Sequence, residues 1–167
     1  YKRQVLAIMP TGAGKSLCYQ VPALLMSGIT IVVSPLISLM IDQVKALNEA
    51  GVHAAYINSA LTERQITKAL ELAAAGRYKM IYVAPERLLT PRFLDFACHT
   101  ELSMVTIDEA HCISQWGQDF RPSYVKITEF IRQLPRRPVV SAFTATATQK
   151  VREDILEVLD LESPYIN

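Results

Sequence analysis

The sequence contains a glycine-rich segment whose residue types and spacing suit the binding of phosphate groups. Residues 9–16 read Met-Pro-Thr-Gly-Ala-Gly-Lys-Ser, which is the P-loop pattern except that Met9 stands where the pattern has Gly. The two glycines permit a tight turn whose backbone N–H groups point inwards, and the positive end of a following helix adds to the same concavity. The lysine supplies a charge for the β- and γ-phosphates, and the serine hydroxyl is suited to ligate Mg²⁺. We therefore predict that nucleotide phosphates bind at Thr11, Gly12, Ala13, Gly14, Lys15 and Ser16.

A pair of adjacent acids follows an apolar run later in the chain. Residues 104–107 read Met-Val-Thr-Ile and lead directly into Asp108 and Glu109. Two neighbouring carboxylates repel each other unless a cation lies between them, which favours a metal site over a solvated acidic turn. With a P-loop upstream, we expect Asp108 to ligate Mg²⁺ together with Ser16, and Glu109 to polarise the attacking water.

Short apolar runs alternate with longer helical patterns along the whole chain. This alternation predicts an α/β fold, with a parallel sheet of about six strands covered by helices on both faces. Ligands of such sheets bind at the carboxyl ends of the strands, which is where the P-loop and the acids fall. The predicted strands are 5–9, 29–34, 53–57, 80–84, 104–108 and 139–143. The predicted helices are 16–26, 36–49, one that begins at a capping box at Thr62 and ends at Gly76, and 149–159.

The bulk composition restricts the class of protein. A chain of 167 residues that is half apolar fits one domain with a buried core. Its net charge of +1 argues against binding nucleic acid by charge alone. The cysteines, Cys18, Cys98 and Cys112, have no metal-binding spacing, so we expect reduced thiols. No apolar run is long enough to cross a bilayer, and we expect no membrane partner.

Several short stretches resemble motifs of one enzyme superfamily. Residues 108–111, Asp-Glu-Ala-His, resemble the signature of superfamily 2 helicases. Residues 34–39 resemble motif Ia of these proteins, residues 84–87 motif Ib, and residues 143–147 motif III. The motifs occur in the family order, which is stronger support than any single match.

Two stretches narrow the resemblance to RecQ-family DNA helicases. Residues 9–20 are similar to motif I of that family, and residues 114–124 resemble its aromatic-rich loop, although Gln118 stands where the family usually has His. The resemblance implies that residues 1–167 form the first RecA-like, ATP-binding motor lobe of an ATP-dependent 3′-to-5′ DNA helicase with a role in repair or recombination. It further implies ATP and Mg²⁺ as ligands, single-stranded or partly duplex DNA as partner, and catalytic roles for Lys15, Asp108, Glu109 and His111.

The aromatic-rich loop has two possible interpretations. Aromatic faces stack on unpaired bases and Arg neutralises phosphate, and the resemblance implies that Trp116, Phe120 and Arg121 sense single-stranded DNA. Alternatively, the aromatic residues, Tyr124 among them, fill a small core beneath the loop.

Further residues have a coupling role only through the resemblance. Ser34 and Ser38 are candidates for a DNA-backbone contact, and ordinary helix capping is the alternative for Ser34. Arg87 is a phosphate ligand or a partner of Glu86 or solvent. The resemblance implies that Thr144 and Thr146 couple nucleotide state to DNA grip together with His111; the alternative is a β-branched strand end.

The resemblance also sets expectations about the parent protein. The family's adenine-recognition motif precedes the P-loop strand, so we expect a chain truncated on its N-terminal side, with the second motor lobe outside it. An arginine from that lobe stabilises the transition state in related motors, so we expect the 167-residue piece alone to be inactive. We expect the cytoplasm as location in a bacterium and the nucleus in a eukaryote. The alternatives are an RNA helicase of the same superfamily and a nucleotide-dependent binding module.

Overall fold

The computed structural model describes residues 4–162 and 164–166, which form one parallel sheet between two layers of helices. The seven strands lie in the order β3-β4-β2-β5-β6-β1-β7, and every pairing is parallel. The strands are β1 (Val5–Ile8), β2 (Ile29–Val33), β3 (Ala54–Ile57), β4 (Met80–Val83), β5 (Leu102–Ile107), β6 (Val139–Thr144) and β7 (Tyr165–Ile166). The helices are α1 (Lys15–Leu25), α2 (Ile37–Glu49), α3 (Glu63–Ala74), α4 (Pro91–Cys98), α5 (Val125–Gln133) and α6 (Gln149–Val158).

Both faces of the sheet are covered, as the sequence predicts. Helices α1 and α2 pack on one face, where Tyr19 and Met40 are buried against the sheet. Helices α3 to α6 pack on the opposite face around a larger core that includes Phe93 and Phe130. Every residue of β2 and β6 is buried, so these central strands are covered on both faces rather than alternating between buried and exposed positions. None of the helices in the described ranges has both the length and the apolar character to span a membrane.

All six predicted strands are confirmed, and the boundaries of the predicted elements differ from the structure by at most two residues. The sequence prediction omitted β7, whose two residues are exposed and add to β1 at the edge of the sheet. It also omitted α4 and α5. Helix α5 carries an apolar stripe of Ile127, Phe130 and Ile131 that packs in the core, a helical spacing present in the sequence but not recognised there.

Candidate nucleotide and nucleic-acid site

The sheet order brings the predicted phosphate loop and the predicted acids to one edge. Strand β6 lies between β1, which leads into the P-loop, and β5, which leads into the acids. Because all strands run in parallel, their carboxyl ends meet at the same edge of the sheet. Thr144, the last residue of β6, therefore lies between the two segments.

The P-loop is an exposed turn at the start of α1. Gly12 and Gly14 have φ angles of 84° and 76°, a left-handed conformation that residues with a Cβ rarely adopt. The Ala13 N–H donates to the Pro10 carbonyl at 3.2 Å and closes the turn. Gly14 is the N-cap of α1 and offers no side-chain cap, and the first turn of the helix contains no acid. The positive end of α1 is therefore open to an anion, as phosphate binding requires.

Lys15 connects this loop to both acids. Its Nζ lies 3.7 Å from Asp108 Oδ1 and 3.5 Å from Glu109 Oε1. Asp108 is buried, and the Glu109 N–H donates to its Oδ1 at 3.0 Å. The sequence thus correctly predicted that the two acids lie beside the P-loop.

The electrostatics of the acid pair favour a bound cation. Burial raises the pKa of the Asp108 carboxyl above its ordinary value; the Lys15 ammonium opposes this and the Glu109 carboxylate adds to it. Glu109 has a φ of 50°, and a left-handed conformation at a residue with a side chain costs about 1–3 kcal/mol and is concentrated at functional sites. Oxygen ligands at Asp108 and Ser16 suit Mg²⁺, which prefers carboxylate, hydroxyl and phosphate oxygen. The residues present therefore fit a magnesium–nucleotide ligand.

His111 links the acids to the end of β6. Its Nδ1 lies 2.8 Å from Thr144 Oγ1 and 3.4 Å from Glu109 Oε2. The Thr144 hydroxyl donates to the Thr146 carbonyl at 3.1 Å. Since a hydroxyl carries one proton, the His111 Nδ1 must be the donor towards Thr144. On its other side, His111 Nε2 lies 3.8 Å from Asp119 Oδ2 in the aromatic-rich loop.

The aromatic-rich loop, residues 114–124, is bonded to the acid-bearing segment. The hydroxyl of the buried Tyr124 donates to the backbone carbonyl of Asp108 at 2.8 Å. The backbone N–H of Arg121 donates to the Cys112 carbonyl at 2.9 Å. The two proposed roles of the aromatic residues are therefore divided: Tyr124 belongs to the core, whereas Trp116 is 64% exposed and does not.

An open cleft of about 750 Å³ lies between these segments. Its walls come from the end of β1, His111, the aromatic-rich loop and the segment that leads into α6. Trp116 and Thr146, two of the predicted DNA-sensing and coupling residues, line it. Phe120 and Arg121 are half-buried in the same loop.

Three of the predicted DNA-contacting residues lie away from this cleft. Ser38 is exposed in the first turn of α2. Ser34 is 2% exposed, and its predicted alternative role as a helix cap is wrong because α2 has Leu36 as its N-cap with no side-chain bond. Arg87 pairs with Glu63 of α3 at 3.6 Å rather than with Glu86, which the sequence offered as one alternative to a phosphate contact or solvent.

The structure also brings together residues that sequence spacing did not connect. Side-chain ligand atoms of His111, Cys112 and Asp119 lie within 4.8 Å of one another. Burial raises the pKa of the Cys112 thiol to about 11, with a further contribution from the Asp119 carboxylate, while the Arg121 guanidinium opposes the shift. The thiol is protonated at neutral pH and is a poor metal ligand in this state, so the cluster is better explained by packing. Lys150 was also missed: its Nζ lies 3.3 Å from the centroid of the Trp116 ring.

These features together define a P-loop nucleotide-binding domain. The parallel sheet carries a P-loop, its lysine bridges two acids, and a histidine bonds to the neighbouring strand. The chain belongs to the DEAD/DEAH box helicase family, whose model matches residues 1–155. This confirms the superfamily that the Asp-Glu-Ala-His segment predicts.

Named relatives make the RecQ resemblance specific. The chain is 52% identical over 161 residues to the ATP-dependent DNA helicase RecQ of Bacillus subtilis, and this alignment covers 96% of the chain and 27% of the relative. It is 47% identical to the ATP-dependent DNA helicase Q-like 2 of Arabidopsis thaliana, with 95% of the chain and 23% of the relative covered. The chain thus spans about a quarter of the length of the curated relatives that it matches.

A solved structure confirms the fold class independently. The helicase Lhr of Mycobacterium smegmatis, bound to single-stranded DNA and AMP-PNP, superposes with a TM-score of 0.73 at 19% identity. The superposition covers 98% of this chain and 23% of that one. At such low identity, the likeness supports the fold of a helicase motor lobe.

Proposed function

We propose that this chain is the first, ATP-binding motor lobe of an ATP-dependent DNA helicase that translocates 3′-to-5′ on single-stranded DNA and unwinds duplexes. One observation carries the proposal: a continuous set of contacts runs from the P-loop lysine through Asp108 and Glu109 to the aromatic-rich loop. A simple nucleotide-binding module has no need of such a connection. The names of the relatives, all ATP-dependent DNA helicases, support the DNA assignment.

On the nucleotide side, each residue has a defined task. The exposed N–H groups of residues 11–16 hold the phosphates, and Lys15 leaves the acids to neutralise the γ-phosphate. Ser16 and Asp108 would hold a Mg²⁺ ion, which would supply positive charge opposite the phosphates. Glu109 orients a water for in-line attack and accepts its proton.

On the DNA side, Trp116 presents an exposed ring on which an unpaired base stacks, a contact that contributes about 1–3 kcal/mol per base. Phe120 and Arg121 support that loop and neutralise phosphate. Ser38 and Arg87 contact the DNA backbone elsewhere on the lobe. Ser34 is buried directly after β2 and contributes to DNA binding by supporting this strand end. These contacts set the register of the strand rather than read its sequence.

Coupling between the two sides passes through His111 and Tyr124. A shift of the aromatic-rich loop moves the Asp108 carbonyl through the Tyr124 hydroxyl, 2.8 Å away. It also alters the contact of His111 with Asp119, and hence with Thr144 and Thr146. DNA binding is therefore expected to reposition Glu109 for hydrolysis.

The second motor lobe is a partner in cis within the full-length protein. An arginine from a second lobe is worth about 10³–10⁵ in rate in related enzymes. We expect the 167-residue chain alone to bind nucleotide weakly, without appreciable hydrolysis or unwinding. Work on genomic DNA would place the protein in the bacterial cytoplasm or the eukaryotic nucleus, in repair or recombination.

A strand-displacement assay with the full-length protein tests this function. Duplexes that carry a 3′ or a 5′ single-stranded tail are compared, with Glu109→Gln as the hydrolysis-deficient control. We expect unwinding of the 3′-tailed duplex only, and none with Glu109→Gln. Preference for the 5′ tail would contradict the direction, while unwinding of RNA duplexes alone would favour the RNA helicase alternative.

A further inference from the structure

Lys150 covers one face of the only tryptophan in the chain. Its Nζ lies 3.3 Å from the centroid of the Trp116 ring, within the range of a cation–π contact. The neighbouring Gly117 is closely packed, because a Cβ there would lie 3.1 Å from the His111 carbonyl. The same position is 4.0 Å from Val151 of α6, so the loop and the helix that carries Lys150 are in contact.

The position of Lys150 is not explained by helix electrostatics. It lies in the first turn of α6, after the Thr148 cap, where the positive helix end disfavours a cation. Asp154 lies one turn further on, but within the described ranges Lys150 forms no salt bridge with it or with any other acid. The indole face is therefore the contact that holds the ammonium group.

The ring that Lys150 covers borders the open cleft described above. Trp116 lines the cleft together with Ala147 and Thr148, the residues immediately before α6, and Lys150 approaches the ring from the same helix. A base that stacks on the face covered by Lys150 must displace the ammonium group. A ring face cannot hold a base and a cation at van der Waals distance at once.

We propose that Lys150 is a positioning residue of the DNA sensor: it occupies the Trp116 ring in the DNA-free protein and competes with the first base that stacks there. This rests on the proposed function, in which Trp116 stacks on DNA. The displaced ammonium group then lies near the backbone of the same strand, where it neutralises phosphate. Lys150 thus has opposite effects on affinity, through competition and through charge, and a single substitution mixes the two.

A double-mutant cycle separates the two effects. The dissociation constant for an unlabelled single-stranded oligodeoxynucleotide is measured at one salt concentration for the full-length protein and for Lys150→Met, Trp116→Ala and the double variant. Methionine keeps the aliphatic stem and removes the charge. The charge effect on phosphate is common to both backgrounds, whereas competition exists only when the tryptophan is present.

We expect the effect of Lys150→Met on DNA affinity to be more favourable in the wild-type background than in the Trp116→Ala background. The difference should be about two- to fivefold in the dissociation constant, the equivalent of an exposed cation–π contact. Lys68→Met, which removes an exposed lysine on α3, should show no dependence on Trp116. A coupling of zero, or one of the opposite sign, would overturn the proposal, because lysine and tryptophan would then act independently or hold DNA jointly. If Trp116→Ala leaves DNA affinity unchanged, both this inference and the DNA-sensing role of the loop fail; if it weakens binding but the cycle shows no coupling, the inference alone fails.

A second measurement needs no DNA. Trp116 is the one tryptophan of the 167-residue chain, so its fluorescence reports on this ring alone. Lys150→Ala is expected to increase quenching by the neutral quencher acrylamide, since it removes the side chain that covers the ring face, while Lys68→Ala leaves quenching unchanged. Unchanged quenching in Lys150→Ala would show that the lysine does not cover the ring in solution and would overturn the proposal.

Discussion

The hydrogen bond between Tyr124 and Asp108 offers a direct test of the connection between the aromatic-rich loop and the acid pair. Tyr124→Phe removes only the hydroxyl that donates to the Asp108 carbonyl at 2.8 Å. Burial raises the pKa of this hydroxyl well above its ordinary value, so it remains a donor throughout the accessible pH range. Both residues are buried, and water cannot easily replace the lost donor.

The expected loss of stability follows from this burial. A hydrogen bond of this kind contributes about 0.5–1.5 kcal/mol net, and a buried acceptor left unpaired increases the loss to about 1–3 kcal/mol. Urea unfolding followed by circular dichroism measures the change, with an unchanged slope as the sign that the denatured state is unaffected.

The effect on function separates a coupling role from a purely structural one. We expect Tyr124→Phe to reduce DNA stimulation of ATP hydrolysis by about two- to tenfold, the equivalent of the net hydrogen-bond energy, and to leave the DNA-free rate nearly unchanged. Tyr82→Phe is the matched control, because its buried hydroxyl bonds with Gln20 and Tyr19 rather than with the loop. Wild-type stability and wild-type stimulation in Tyr124→Phe would refute the reasoning. Equal losses of stimulation in both variants would show that the effect reflects stability alone.

Two further substitutions test the fold and the acid pair. Gly28→Ala places a Cβ 2.6 Å from the Glu101 carbonyl in a left-handed turn. Gly51→Ala is the control, because its turn is equally left-handed but the space is open, and we expect it to lose roughly 1 kcal/mol of unfolding free energy. We expect a much larger loss for Gly28→Ala, and equal losses in urea unfolding would contradict the close contact. Asp108→Asn keeps an acceptor for the Glu109 N–H and removes a buried charge whose pKa is raised. At pH 7 the metal-free chain should therefore melt at a higher temperature, while the same substitution in the full-length protein abolishes ATP hydrolysis. Because a raised carboxyl pKa means that stability falls as pH rises through that pKa, this gain should disappear in acid, and a lower melting temperature at pH 7 would contradict the assignment.

Much of the fold was predictable because its signals are local. The central strands are short, mostly apolar segments that are buried on both faces. Helix α3 begins at a complete capping box in which Thr62 accepts from the Gln65 N–H and Gln65 accepts from the Thr62 N–H. Strand β7 gave no such signal, since its two residues are exposed and are held by pairing with β1. Only the three-dimensional arrangement makes that pair a strand.

The positions of the P-loop and of the acids were predictable for the same reason. The contacts that the sequence prediction missed have a common cause. The P-loop and the acids are short contiguous motifs whose strand context fixes their position. Trp116 contacts the side chain of Lys150, and Tyr124 bonds to the backbone carbonyl of Asp108. Both contacts join segments that are remote in sequence. Neither depends on a spacing that the sequence displays.

The central claim is that this lobe couples ATP hydrolysis to DNA through the aromatic-rich loop. The most direct test is the ATP hydrolysis rate of the full-length protein, with and without single-stranded DNA, for the wild type, Lys15→Ala, Glu109→Gln and Trp116→Ala. We predict strong stimulation by DNA in the wild type, loss of hydrolysis in the Lys15 and Glu109 variants, and a retained DNA-free rate without stimulation in Trp116→Ala. A wild-type rate that does not respond to single-stranded DNA would contradict the account.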